Sequence, residues 1–146
     1  LESCRIKKQI VEQDEKEKSL RKSLNLGHTF GHAYESAMNY SKNLNHGEAV
    51  LYGILSATKF SMKIKVLNKN DYQLIFSHLS KLNFTNLKNF FTKRDLNKIV
   101  SFMIADKKNI TKNINIITIK KIGKVGIDSQ FNSKKIKKFI EFELLK

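Results

Sequence analysis

The sequence contains no proline and no tryptophan, one cysteine (Cys4), six glycines in 146 residues, and only Arg5, Arg21 and Arg94 as arginines. One cysteine excludes a disulfide framework and a thiolate metal cluster, and fits a reducing, cytoplasmic setting. Without proline or a Gly/Ser-rich stretch there is no linker, repeat or low-complexity segment to divide the chain, so residues 1–146 read as one domain, long enough to bury a core. No apolar run approaches the roughly 20 residues that cross a bilayer, and no signal peptide is visible, which argues against a membrane role. The chain opens on Leu1 inside a helical pattern, so the sequence is expected to begin mid-protein.

Acidic residues are also scarce: 13 against 28 Lys and Arg, for a formal net charge of +15. A basic domain attracts anions, whether nucleic acid, acidic lipid or a phosphorylated metabolite. The lysines are scattered and accompany heavy use of Asn and Ile, so a compositional bias loading solvated faces with Lys explains much of the charge.

The apolar pattern is mainly helical. Ile6, Ile10 and Val11 predict an amphipathic helix over residues 1–20, and small residues around His28, Ala33 and Ala37 predict a close-packed helix over 24–40. Residues 40–45 read as a polar loop. From Gly47 to about Lys65 the chain is apolar nearly all round, the pattern of a buried helix. Asn70 is a candidate cap for a helix to Leu82, with Leu74, Ile75 and Leu79 inward. Another helix runs from Thr92 or Lys93 to Ala105 and ends at Asp106-Lys107-Lys108-Asn109. Ile114–Ile119 and Val125–Ile127 flank Gly123 as a small hairpin, and Asn132 or Ser133 caps a basic final helix. The expected fold is mainly α with a small β-hairpin. Phe84, Phe90, Phe91 and Phe102 read as core, and His78 as a surface or packing residue.

Three of the four histidines fall within Gly27–Glu48. On a helix His28 and His32, four apart, share a face. His46 follows a loop that brings the chain back. Imidazole suits Zn²⁺, and a catalytic zinc takes three protein ligands while leaving a position for water or substrate. Spacing alone places His28, His32 and His46 around one metal. Gly27 and Gly31 precede the paired histidines, and each costs about 1 kcal/mol relative to Ala within a helix. They permit close approach by another backbone or by a ligand. The competing reading is helix packing with the histidines as satisfied core residues. Glu35 and Glu48 are candidates to orient the histidines or simply to face solvent; Thr29 is a candidate for a cap or a bond within the helix.

Leu24-Asn25-Leu26-Gly27-His28-Thr29-Phe30-Gly31-His32-Ala33-Tyr34-Glu35, followed by His46-Gly47-Glu48-Ala49-Val50, closely resembles the signature of 3-dehydroquinate synthases. The resemblance extends upstream through Lys7 and Asp14-Glu15-Lys16-Glu17 to Arg21, and downstream to Asp106-Lys107-Lys108, but not into the basic tail. It implies the C-terminal helical domain of a two-domain α/β enzyme that converts DAHP, a seven-carbon keto-acid sugar phosphate, into 3-dehydroquinate and phosphate. It further implies NAD, a divalent metal (Zn²⁺ or Co²⁺) and a homodimer. By position His28 and His46 match metal ligands, with a third, glutamate ligand expected before Leu1. His32 matches a substrate-side histidine near the phosphate, Asn25 a second phosphate contact, and Glu17 a proton-relay carboxylate interacting with His32. Lys7 and Arg21 match a carboxylate-binding pair, the task for which a bidentate guanidinium suits Arg21. Lys107 or Lys108 is expected at the phosphate. On residues alone, Glu17 and Arg21 read as an ordinary (i, i+4) surface pair worth a few tenths of a kcal/mol, and Lys107-Lys108 as a solvated loop; the resemblance reverses that reading.

No Gly-rich dinucleotide fingerprint is present; the resemblance puts the NAD-binding domain N-terminal to this segment, so the isolated fragment is expected to be inactive and to bind zinc weakly. The alternatives are another sugar-phosphate cyclase on the same scaffold, a metal-dependent polyol dehydrogenase, or a basic helical nucleic-acid-binding module with no metal requirement.

Overall fold

A computed structural model of the chain describes residues 1–82, 86–105 and 113–145. Helix α1 spans Glu2–Gln13 and buries no residue. It stops well short of residue 20 because Asp14 takes over the next backbone donors. Its carboxylate accepts the N–H groups of Lys18, Ser19 and Arg21 at 2.9, 2.7 and 3.0 Å. This is the local side-chain competition that ends helices at Asp. A 3₁₀ turn, Leu20–Asn25, follows.

Helix α2 spans only His28–Ala37, shorter at both ends than the expected 24–40. Gly27 stands at its N-cap with φ +84°, so that glycine serves a left-handed turn and carries no helix-interior penalty. Helix α3, His46–Lys63, opens on a capping box: Asn45 Oδ1 accepts from the Glu48 N–H and Glu48 Oε2 from the Asn45 N–H. The box makes His46 the first helical residue, one earlier than the sequence pattern suggests.

Helix α4, Lys69–Ser80, is capped by Asn68 and not by Asn70. Leu79 is buried, whereas Leu74, expected inward, is 61% exposed. The cap lies two residues earlier than assumed, and only one edge of α4 packs against α3. Helix α5, Leu96–Ala105, follows a separate 3₁₀ turn capped by Thr92. The expected Asp106–Asn109 loop lies outside the described residues. Strands β1 (Asn113–Lys121) and β2 (Lys124–Asn132) pair antiparallel about Gly123, longer than the runs read from sequence. Asn132 caps the final helix α6, Ser133–Leu145, through its Oδ1 and the Lys134 N–H.

The core is centred on the α2–α3 crossing, and three glycines set its closeness. A Cβ on Gly53 would sit 2.0 Å from the Gly27 carbonyl oxygen, and one on Gly31 would sit 2.9 Å from that of Ala49. The sequence-level alternative of backbone approach is therefore realised. Around the crossing pack Phe30, Tyr34, Phe60, Ile99, Met103 and Phe139. From β1, Ile114, Ile116 and Thr118 point into the core, and the strand's period of two turns Asn115 and Ile117 to the opposite face. Phe91 is core and Phe90 packs against it, but Phe102 is 37% exposed; Phe84 lies outside the described residues. Among the described residues no helix is long and apolar enough to cross a membrane.

Candidate functional site

The left-handed turn at Gly27 and the capping box at Asn45 start α2 and α3 next to each other. The first residue of each helix is a histidine. His28, His32 and His46 converge: each offers a ring nitrogen within 4.8 Å of the others. The ring centroids of His28 lie 5.3 Å from His32 and 6.0 Å from His46. His28 is half-buried, while His32 and His46 are exposed and stack at 5.8 Å. Metal–imidazole bonds of about 2.0–2.1 Å put tetrahedral ligand nitrogens roughly 3.4 Å apart. The three nitrogens, all within 4.8 Å of one another, stand near that spacing. The donor set fits a borderline cation such as Zn²⁺ or Co²⁺.

The two candidate orienting carboxylates separate in the structure. Glu35 Oε2 lies 3.1 Å from His46 Nδ1. An ionised carboxylate only accepts, so this bond puts a proton on Nδ1 and leaves Nε2 as the lone pair available to a ligand. Glu48 instead closes the α3 cap. Thr29 neither caps nor bonds within its helix: its Oγ1 donates to the Asn115 carbonyl at 3.0 Å, fastening α2 to β1.

Beside the histidines opens a cleft of about 400 Å³. His28, His32 and Thr29 form one wall, Glu17 and Asn25 a second, and Asn115, Ile117 and Asp128 of the hairpin a third. Asn25 Nδ2 donates to Glu17 Oε1. The second amide hydrogen of Asn25 remains as a donor for a ligand. Glu17 holds φ +53° and Asp128 φ +59°. Non-glycine residues adopt this left-handed region at a cost, and such residues concentrate at binding sites.

Of the residues singled out in the sequence, Glu17, Asn25, His28 and His32 line the cleft, and His46 closes on the two other histidines. Arg21 does not line it: its Nη1 donates to the Glu15 carbonyl at 2.6 Å. Lys7 is exposed on α1, away from the cleft lining. Lys107 and Lys108 lie outside the described residues. His78 is exposed on α4, as its lack of a motif suggested. Lys22 and Asp128 were missed altogether. Lys22 reads as one more surface lysine, and Asp128 is not the glycine that would signal a positive φ, although Gly126 stands two residues before it in the strand.

A family profile described as 3-dehydroquinate synthase C-terminal matches residues 1–109. The chain belongs to that family. It is 49% identical over 146 residues to the 3-dehydroquinate synthase of Pelagibacter ubique (strain HTCC1062), covering 99% of this chain and 40% of that protein. To the 3-dehydroquinate synthase of Endomicrobium trichonymphae it is 45% identical over 124 residues, covering 84% of this chain and 33% of that one. The chain thus spans less than half the length of these relatives. A 2-deoxy-scyllo-inosose synthase, solved with carbaglucose-6-phosphate, NAD⁺ and Co²⁺, superposes with a TM-score of 0.68 at 23% identity, covering 86% of this chain and 35% of that one. The family match includes the Asn25–His46 constellation but ends before the hairpin, so the hairpin wall of the cleft lies outside the matched segment.

Proposed function

We propose that this chain forms the metal- and substrate-binding part of a 3-dehydroquinate synthase, acting on DAHP and releasing phosphate. The observation that carries this is the convergence of His28, His32 and His46 beside Glu17 and Asn25 in one cleft. Family membership supports the same reaction.

In this reading His28 and His46 hold the metal, Zn²⁺ or Co²⁺, with Glu35 fixing the tautomer of His46. When bound, the metal supplies a Lewis acid for substrate hydroxyls and NAD a reversible hydride acceptor. The dinucleotide contacts and a carboxylate metal ligand come from polypeptide N-terminal to these residues. His32 and Asn25 meet the leaving phosphate, Asn25 through its remaining amide hydrogen. Glu17 takes and returns protons on that side, close to His32 within the same cleft. General acid–base groups so placed contribute typically about 10²–10⁴-fold.

The substrate carboxylate needs a second cationic patch. Arg21 and Lys7 serve there once the Arg21 guanidinium leaves the Glu15 carbonyl, a bond to an exposed backbone oxygen that a bidentate carboxylate replaces favourably. Either Lys107 or Lys108 reaches the phosphate. The working enzyme is a homodimer in the cytoplasm.

The test is phosphate release from DAHP by the full-length protein with NAD and Zn²⁺. Turnover is expected. A folded, metal-loaded protein that releases no phosphate from DAHP but cyclises a hexose 6-phosphate would replace this reading with the sister cyclase reaction of its structural neighbour.

A further inference from the structure

The cleft holds a charge pair that the reaction described above does not use. Lys22 Nζ lies 2.9 Å from both carboxylate oxygens of Asp128, across a sequence separation of 106 residues. Both side chains line the cleft with Asn25 and His32, and both keep partial access to solvent, 32% and 53%.

The backbone is arranged to deliver Asp128 there. On β1 only Ile117 lies between the paired residues Ile116 and Thr118, whereas on β2 both Ile127 and Asp128 lie between their partners Ser129 and Gly126. That two-against-one count is a β-bulge, a device that re-aims a side chain next to a site. Asp128 completes it at φ +59°. A regular hairpin would need neither the extra residue nor the unfavourable backbone conformation.

We propose that Lys22 is an additional anion-binding residue of this cleft, held ready by Asp128 and transferred to the phosphate of the substrate when it binds. The inference rests on the reading of the cleft as a phosphate-ester site and adds a residue to it. The physical basis is a balance of two partly solvated ion pairs. In the free cleft Asp128 neutralises Lys22 and fixes where the ammonium sits, sparing the long side chain its rotamer entropy on binding. A phosphate dianion carries more charge than a carboxylate and offers three acceptor oxygens, so the ammonium exchanges partners towards it. Asp128 then acts as a counterweight that disfavours neutral ligands, which cannot displace it.

The experiment is titration of the full-length protein, loaded with Zn²⁺ and NAD, with inorganic phosphate by calorimetry. Asp128→Asn should tighten phosphate binding by about three- to tenfold, because Lys22 no longer has to leave a carboxylate. Asn tolerates the left-handed backbone, so this variant keeps the bulge. Lys22→Met should weaken binding by about tenfold. In the double variant the gain from Asp128→Asn should vanish, since Asp128 acts only through Lys22. Weakening by Asp128→Asn, or an equal gain in the Lys22→Met background, would overturn the proposal and leave the pair a purely structural clasp or a diffuse charge effect. A wild-type protein that binds no phosphate in this cleft would overturn the reading of the cleft itself, and this inference with it.

Discussion

The Glu35 carboxylate at the far part of α2 lies 3.1 Å from Nδ1 of His46, the first residue of α3. A half-buried carboxylate thereby fixes an exposed imidazole: the Glu35 side chain is 16% exposed and the His46 side chain 59%. The bond occupies Nδ1 and leaves Nε2 as the nitrogen open to a metal, the arrangement that metal-binding histidines use. Glu35→Ala should lower zinc affinity of the full-length protein about 10- to 100-fold, the range seen when such outer partners are lost. Glu35→Gln, which keeps an acceptor but not the charge, should fall between. Competition with a chromophoric chelator measures both. Unchanged affinity in Glu35→Ala would show that the bond does not bear on the metal.

The division of labour among the three histidines has its own test. Geometry gathers them equally, while the family resemblance assigns only His28 and His46 to the metal. His28→Ala and His46→Ala are expected to lose zinc in elemental analysis. His32→Ala is expected to retain it and to lose turnover by about 10²-fold or more, the contribution of a placed acid–base group. Loss of zinc from His32→Ala would restore a three-histidine centre.

The glycine crossing predicts a steep stability difference between positions that look alike in sequence. Gly53→Ala would drive a methyl group to 2.0 Å from the Gly27 carbonyl oxygen. Overpacking of this kind destabilises by about 1–3 kcal/mol or more, and here the obstruction is backbone. Gly47→Ala, whose added Cβ meets only Asn45 Oδ1 at 3.5 Å, should leave the melting temperature nearly unchanged. Because Gly27 and Gly31 carry His28 and His32 beside them, Gly53→Ala should also reduce zinc affinity.

Asp14 gives the fold an acid-sensitive joint. Backbone N–H bonds from Ser19 and Lys18, and less strongly Arg21, hold its carboxyl below the usual carboxylate range. A depressed folded-state pKa stabilises the fold above the unfolded value of about 3.9, and that contribution is lost as pH falls through the folded value. The stability gap between wild type and Asp14→Ala, read by urea unfolding, should therefore be constant from neutral pH down to about 5 and shrink below about 4. A gap that does not close in acid would mean that Asp14 acts by packing and not by charge.

Much of this was legible in the residues. The buried character of α3 follows from apolar positions on every side, and the hairpin from β-branched runs about Gly123. The histidine motif is long enough to carry the family. Two of the misreadings share a cause: a side chain that reaches beyond its own segment. Asp14 ends α1 by accepting from residues ahead of it, and Thr29 bonds a strand 86 residues away.

The sequence by itself determined the helical class, the family and the residue types available for a metal and an anion, because periodicity and motif are properties of neighbouring positions. The tertiary structure alone decided the rest. It separated Glu35 from Glu48 by giving one to His46 and the other to a helix cap. It brought Asp128 to Lys22 through a bulge whose left-handed residue is not a glycine. Those outcomes depend on where two distant backbones meet, and the three-glycine crossing of α2 and α3 sets that distance for the histidines.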